Sequence, residues 1–179
     1  FPKDAVRRFS SLPDAADWID RLKVVGIDLR DPAQVAAAFA ETVRALGRVD
    51  ACFANAGVSG GRQKPFLEHE VADWERVLRV NLTGAFATLQ AAARHMVERG
   101  GGGSLVGTAS IAAIEGAARN QHYAASKGGL VSMIRALAVE MARHGIRANA
   151  ILPGWIETDM TARSVADERF SNAVLPRIP

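Results

Sequence analysis

The 179-residue chain carries a net charge of +3, with 49% hydrophobic and 23% charged residues, the composition of one globular domain. Its basic residues are scattered and form no run interleaved with aromatics, so we expect no nucleic-acid partner. No apolar run reaches the length of a membrane span, the sequence shows no secretory signal pattern, and we expect no membrane partner. The four histidines lack a metal-binding spacing, so no metal site is expected.

Cys52 is the single cysteine and lies in the apolar stretch VDACFANAG. An intrachain disulfide is therefore impossible, and a buried, unreactive thiol is expected. Such a thiol is compatible with a reducing compartment, and we expect a cytoplasmic protein.

Short apolar runs alternate with longer amphipathic segments along the chain, beginning with KVVGIDL. Asp31 and Pro32 then predict the start of a helix, which Gly47 ends. Helical spacing of apolar residues predicts two further helices, and the predicted set is 31–46, 68–99 and 122–144. The apolar runs predict strands at 23–29, 48–57, 104–110 and 146–154.

This alternation predicts a doubly wound parallel α/β sheet with helices on both faces. The crossovers are expected to be right-handed. Ligands of such sheets bind beyond the carboxyl ends of the strands. Unusual residues fall at those ends, namely Asp28, Asn55–Gly57, Ser110 and Pro153–Gly154.

Tyr123 and Lys127 lie four positions apart in the stretch YAASK and share one face of a predicted helix. A tyrosine hydroxyl ionises at about pH 10, and a nearby ammonium stabilises the phenolate, so this pair could transfer protons. The pair alone could equally be a solvated helix face. Ser110 ends a predicted strand before Tyr123, where its hydroxyl could bond a substrate oxygen or simply cap a turn.

Asn81 lies inside a predicted helix, where asparagine is mildly unfavourable. Its side chain could satisfy neighbouring backbone groups, or it could hold a water molecule. The residue types alone leave both interpretations open.

Taken in order, these pieces resemble the classical short-chain dehydrogenase/reductase (SDR) family. The resemblance covers about residues 28–158 and rests on Asp28, NAG at 55–57, Asn81 in VNLTG, Ser110, YAASK at 123–127, and PG at 153–154 followed by Thr158. It implies a single Rossmann-like domain over 1–179, with three α/β/α layers and a substrate-covering segment at 159–179. The family's glycine-rich GxxxGxG segment and its last strand are not found, so the domain is expected to be incomplete at both ends.

The resemblance also implies an NAD(P)-dependent oxidoreductase that interconverts a secondary alcohol and a ketone by hydride transfer. Tyr123 would be the general acid or base, and Ser110 would polarise the substrate oxygen. Lys127 would stabilise the tyrosine phenolate and bind the nicotinamide ribose. Asn81 would hold a water that relays protons from Lys127 to solvent.

Cofactor contacts follow from the same resemblance. Asp28 would bind the adenine amino group beside the Leu29 backbone, although Asp28 could instead cap the following helix. The cofactor floor would be formed by Asn55, Ala56 and Gly57, although Gly57 could be a simple turn. Tyr123 and Lys127 would reach the nicotinamide ribose, and the nicotinamide end would meet Pro153, Gly154, Ile156 and Thr158.

Several alternatives remain open at this point. The cofactor could be NAD or NADP, and the substrate a 3-oxoacyl thioester or a sugar or polyol. Arg119 could pair with an anionic substrate or be a surface arginine. A homodimer or homotetramer through 68–99 and 122–144 is implied by the resemblance. A catalytically silent scaffold or inactive fragment without dinucleotide binding is the competing function.

Overall fold

The structure, a computed structural model, describes residues 9–61, 63–174 and 176. Its sheet contains three parallel strands in chain order, with Phe53 opposite Val106 and Gly107 opposite Ala150. These strands are β1 (Ala51–Ala54), β2 (Gly103–Thr108) and β3 (Ile146–Ile151). A parallel sheet with flanking helices confirms the Rossmann-like α/β prediction.

The long helices lie where the apolar spacing predicts them. Asp31 caps the first, accepting hydrogen bonds from the N–H groups of Ala33 and Gln34, while Pro32 occupies its first position. A π-helical segment, Arg79–Gly84, interrupts the second long helix without breaking it. The α-helices are α1 (Pro32–Leu46), α2 (Val71–Leu78), α3 (Ala85–Arg99), α4 (Ala112–Glu115), α5 (Gln121–Met141), α6 (Ala162–Val165) and α7 (Glu168–Val174).

Helices α3 and α5 pack against the same face of β2. A Cβ atom on Gly103 would lie 2.4 Å from the Met96 sulfur, and one on Gly107 would lie 3.2 Å from Ile134. These two glycines therefore allow both helices to approach the strand closely. The core between sheet and helices includes Leu89, Met96, Leu105, Leu130, Ile134 and Ile146. On the opposite face of the sheet Phe53 is 61% exposed.

The predicted strand at 23–29 is wrong. Residues 22–28 pair with no strand in the described part of the chain, and β1 pairs with β2 only. Alternate residues Lys23, Val25 and Ile27 instead line a cavity of about 250 Å³ beside α1 and α3. An alternating apolar pattern becomes a strand only where a neighbouring strand accepts its backbone hydrogen bonds, and the described residues supply none here.

No helix within the described ranges is both long enough and apolar enough to cross a membrane. The expected domain 1–179 and its segment 159–179 reach beyond those ranges at residues 1–8, 62, 175 and 177–179.

Candidate active site

The loops after β2 and β3 are joined at the carboxyl edge of the sheet. The Ile111 N–H donates to the Pro153 carbonyl at 3.1 Å, and the Ala109 N–H donates to the Ile151 carbonyl at 2.7 Å. Ser110 lies between these two bonded residues. The edge where ligands of parallel sheets bind therefore presents Ser110 and Pro153 side by side.

Tyr123 and Lys127 lie on the first turns of α5, and the ammonium Nζ is 5.7 Å from the centroid of the tyrosine ring. Lys127 is only 4% exposed, and burial lowers the pKa of its ammonium. Nζ donates to the Thr108 carbonyl at 2.6 Å, at the end of β2. An ammonium has three donors, so this bond leaves capacity for a ligand beside the tyrosine.

The Ser110 hydroxyl oxygen accepts a hydrogen bond from the Ala112 N–H at 3.2 Å, at the start of α4. The turn-cap interpretation is therefore confirmed for the oxygen. The hydroxyl proton remains able to donate to another group. A cap and a substrate contact are thus compatible in this residue.

Asn81 is fully buried inside the π-helical segment, at 1% exposure. Its Oδ1 accepts from the Val58 N–H at 2.8 Å, and its Nδ2 donates to the Val58 carbonyl at 3.0 Å and to Ser126 Oγ at 3.1 Å. The side chain thus satisfies backbone groups of the loop after β1, the first of the two interpretations above. Single turns of π-helix frequently occur at functional sites.

Ser126 connects Asn81 to the tyrosine, although nothing in the sequence pattern singles it out. Its hydroxyl donates to the Tyr123 carbonyl at 2.7 Å while accepting from Asn81. The residue is completely buried. This serine bonds both its own helix and a second helical segment. Such a contact can be recognised only when the packing of the two segments is known.

Gly57 lies where Asn81 and Lys127 converge. A Cβ atom at this position would be 3.3 Å from Asn81 Oδ1 and 3.4 Å from Lys127 Nζ. Such close approach favours glycine, because a Cβ atom would crowd the Asn81 oxygen and bring a side chain into contact with the lysine. Gly57 follows the exposed residues Asn55 and Ala56. The expected floor of a cofactor site therefore adjoins the buried lysine.

Asp28 does not cap α1, since Asp31 does. Its carboxylate is instead held by the Arg30 guanidinium at 2.6 Å, and this bond lowers the pKa of Asp28 to about 2. Leu29 beside it reaches the π-helical segment, where a Cβ atom on Gly84 would lie 3.0 Å from the Leu29 carbonyl oxygen. The Asp28–Leu29 pair is thus close to the helix that carries Asn81.

The residues expected at the nicotinamide end follow β3. Gly154, Ile156 and Thr158 are exposed, and Pro153 is half-buried. The Thr158 and Thr161 hydroxyl oxygens are 3.2 Å apart, and Trp155 packs edge-on against Phe170 with ring centroids 4.6 Å apart. This segment therefore begins at the sheet edge that carries Pro153, and its Thr161 hydroxyl is engaged with the Ile156 carbonyl at 2.6 Å.

Arg119 lies in the loop between α4 and α5 and is exposed. Its φ of 62° places it in the left-handed region, which side-chain-bearing residues seldom adopt. Among the described residues no group of three or more His, Cys, Asp or Glu side chains could hold a metal ion.

The amino-acid sequence of this chain is similar to sequences of known dehydrogenases. Residues 6–179 match a family model described as enoyl-(acyl carrier protein) reductase. The chain is 37% identical over 152 residues to 2-dehydro-3-deoxy-D-gluconate 5-dehydrogenase of Escherichia coli K12, covering 85% of this chain and 59% of that protein. The chain thus spans somewhat more than half the length of this curated relative.

Solved structures agree with the sequence relatives. A gluconate 5-dehydrogenase from Burkholderia cenocepacia in complex with NADP and tartrate superposes with a TM-score of 0.79 at 35% identity, covering 84% of this chain and 58% of that one. A carveol dehydrogenase from Mycobacterium avium in complex with NAD gives a TM-score of 0.81 at 32% identity, covering 99% of this chain and 61% of that one. The chain therefore belongs to the short-chain dehydrogenase/reductase family.

Proposed function

We propose that the protein is an NAD(P)-dependent oxidoreductase that interconverts a secondary alcohol and a ketone. The observation that carries this proposal is the buried Lys127 ammonium, 5.7 Å from the ring centroid of Tyr123. A charged group is costly to bury without a purpose, and a cation beside a phenol stabilises the phenolate. Relatives named as dehydrogenases of gluconate-type sugars and of carveol support the same reaction class.

The residues present fit the nicotinamide ribose end of a dinucleotide. Gly57 leaves an approach that a Cβ atom would obstruct, and Lys127 retains donors that ribose hydroxyls could accept. Asn55 and Ala56 would extend this floor, and Thr158 would meet the nicotinamide. When bound, the nicotinamide supplies hydride chemistry that no side chain can provide.

Within this proposal the side chains of the site divide between them proton transfer, polarisation of the substrate oxygen and positioning. Tyr123 donates its phenolic proton to the ketone oxygen, or accepts a proton from the alcohol in the reverse direction. The Ser110 hydroxyl donates to the same oxygen and polarises it. Lys127 holds the phenolate by its charge. Asn81 fixes the loop at Val58 against the first turns of α5 through its hydrogen bonds to Val58 and Ser126. In its second role, Asn81 would hold a water near Lys127 that relays protons to solvent.

The direct test is turnover. The purified protein is mixed with NAD⁺ or NADP⁺ and a panel of secondary alcohols that includes sugar acids, polyols and cyclic terpenoid alcohols, and reduced nucleotide is followed by absorbance. Turnover with any member supports the proposal. Absence of turnover and of nucleotide binding in the same samples favours a catalytically silent scaffold.

Ser110→Ala is expected to lower kcat by about a hundred-fold, the effect of removing one donor to a developing oxyanion. Ser110→Thr retains the hydroxyl and the hydrogen bond from the Ala112 N–H, and should recover most of the loss. Steady-state kinetics on both variants make the comparison. Equal kcat for wild type and Ser110→Ala would remove Ser110 from the reaction.

We also propose that two or more copies associate through α3 and α5. A cavity of about 510 Å³ lies between these helices and the π-helical segment, lined mainly by small and apolar residues, namely Leu82, Thr83, Phe86, Gly129, Ser132 and Met133. Val139 on α5 is 81% exposed. Light scattering should report a multiple of 19.1 kDa, and a monomer at micromolar concentration would contradict this assembly.

A cytoplasmic location is part of the same proposal, because the single buried thiol is compatible with a reducing compartment. Burial raises the pKa of the Cys52 thiol to about 11, which makes it a poor nucleophile. Cell fractionation tests the location, and recovery in a secreted fraction would contradict it.

A further inference from the structure

His122 immediately precedes the tyrosine and is buried, at 2% exposure. Its Nδ1 accepts a hydrogen bond from the Tyr123 backbone N–H at 3.0 Å. The proton of the neutral ring therefore resides on Nε2, as this hydrogen bond requires. Nothing in the Tyr–Lys chemistry described above uses this side chain.

The Tyr123 N–H needs such a partner because it belongs to the first turn of α5. The first N–H groups of a helix have no intrahelical acceptor, and the side chain at the N-cap usually supplies one. Here the N-cap residue Asn120 makes no side-chain capping bond. His122 therefore takes over the capping of the one backbone N–H that belongs to the tyrosine.

The imidazole is held in place from two sides. A Cβ atom on Gly60 would lie 2.0 Å from its Cε1 and 2.3 Å from its Nε2, so the ring packs directly on the backbone of the loop after β1. The His69 ring packs edge-on against it, with centroids 4.7 Å apart. The same loop is bonded to Asn81 through Val58. The ring thus joins the floor of the site to the tyrosine.

The surroundings favour the neutral ring. Burial and, after it, the neighbouring His69 lower the pKa of His122, outweighing the opposite influences of a backbone hydrogen bond with Asn120 and of Asp73 on α2. Arg76 on the same helix acts in the same direction as His69. The Asp73 carboxylate is also bound by Lys64 at 3.0 Å, so its charge is already partly compensated. Nε2 has no hydrogen-bond partner among the described residues.

We propose that the neutral imidazole of His122 is a positioning group, which fixes the first turn of α5, and with it Tyr123, by accepting the tyrosine backbone N–H. Protonation turns Nδ1 into a donor, so the hydrogen bond is lost and an N–H group faces another N–H group. The tyrosine then loses its fixed position relative to the floor at Gly60. This inference rests on the acid–base role proposed above for Tyr123.

The sign of the pH dependence follows from the lowered pKa. The folded protein binds a proton at His122 less readily than the unfolded chain, whose histidine has the ordinary value of 6.5. Stability contributed by the neutral ring is therefore complete above that value and is lost as pH falls through it toward the folded pKa. Turnover should likewise fall as the pH is lowered.

Two substitutions distinguish the loss of the hydrogen-bond acceptor at position 122 from the effect of a positive charge on the ring. His122→Asn offers an oxygen in place of Nδ1 and does not titrate, so kcat at neutral pH should stay within about three-fold of wild type and the acidic fall of kcat should weaken. His122→Phe fills the space without an acceptor, and kcat should drop about ten-fold with KM for the nucleotide little changed. His144→Asn, beyond the far end of α5, is the matched control and should change neither.

A measurement without turnover tests the same contact. The chain contains one tyrosine, so labelling with ¹⁵N-tyrosine gives a single backbone amide signal, from Tyr123. Its hydrogen exchange should be slow in wild type and His122→Asn, and about ten-fold faster in His122→Phe. Equal exchange in all three proteins, or an unchanged kcat and pH profile in His122→Phe, would overturn the proposal. A wild type without turnover would defeat the proposed function alone, and amide exchange would then decide whether His122 holds Tyr123.

Discussion

Tyr123→Phe is expected to lower kcat by about a thousand-fold, since it removes the group proposed to exchange a proton with the substrate oxygen. The phenylalanine ring retains the packing of tyrosine beside Lys127, so folding should be nearly unchanged. Nucleotide affinity should fall by no more than the loss of one hydroxyl contact to the ribose, about ten-fold. Steady-state kinetics, with nucleotide titration followed by fluorescence of the three tryptophans, make the measurement.

The outcome separates the two functions that the sequence leaves open. Phe53→Leu, on the face of the sheet opposite α3 and α5, is a suitable control for altering an aromatic residue outside the proposed proton transfer. A Tyr123→Phe variant that keeps a kcat within about ten-fold of wild type would show that the tyrosine is not the acid–base group. Loss confined to Tyr123→Phe supports the oxidoreductase over the silent scaffold.

Lys127→Met should separate stability from activity. The pKa of Lys127 is lowered by burial, which means that its charged form is disfavoured in the folded protein relative to the unfolded chain. Removing this charge should therefore leave the thermal midpoint unchanged or raise it, despite the lost bond to the Thr108 carbonyl. Turnover should nevertheless fall by at least about a hundred-fold, because the phenolate proposed at Tyr123 loses its cation.

Calorimetry and steady-state kinetics on the same preparation measure both quantities. The exposed Lys23, which pairs with Glu41 at 2.9 Å, provides the control variant Lys23→Met. Surface ion pairs contribute less than about 1 kcal/mol, so this control should change little. A large drop in the thermal midpoint of Lys127→Met would mean that the buried lysine stabilises the fold. Stability alone would then explain why a lysine is buried at this position.

Much of the fold follows from local patterns. Asp31, Pro32 and Gly47 determine the limits of α1 through capping chemistry that depends on neighbouring residues only. The apolar stripe of α5 likewise places Leu130 and Ile134 in the core. The segment at 23–29 shows where local pattern fails, since strand formation depends on a pairing partner that no short stretch of sequence specifies.

The candidate site was predictable to the extent that it follows the ends of strands and one helix face. The adjacency of Ser110 and Pro153 and the pairing of Tyr123 with Lys127 both come from such rules. The contacts of Ser126 and His122 were not predictable in this way. Each depends on a second element, π-helix or loop, coming within hydrogen-bonding or van der Waals distance after folding.

The turn of π-helix at Arg79–Gly84 limits where the chain can change in length. A π turn holds about one residue more than an α turn, so deleting one residue here would restore a regular α-helix and keep α2 and α3 in line. Each residue of a regular α-helix advances the side-chain direction by about 100°, so a deletion in the regular turns on either side would rotate α2 relative to α3 by about that angle. Val77 and Leu89 are buried on the two sides of the π turn and could not then both stay buried. Insertions and deletions in natural variants should therefore collect in loops such as the glycine run at 100–103, and a one-residue deletion between Val77 and Leu89 should fall in the π turn.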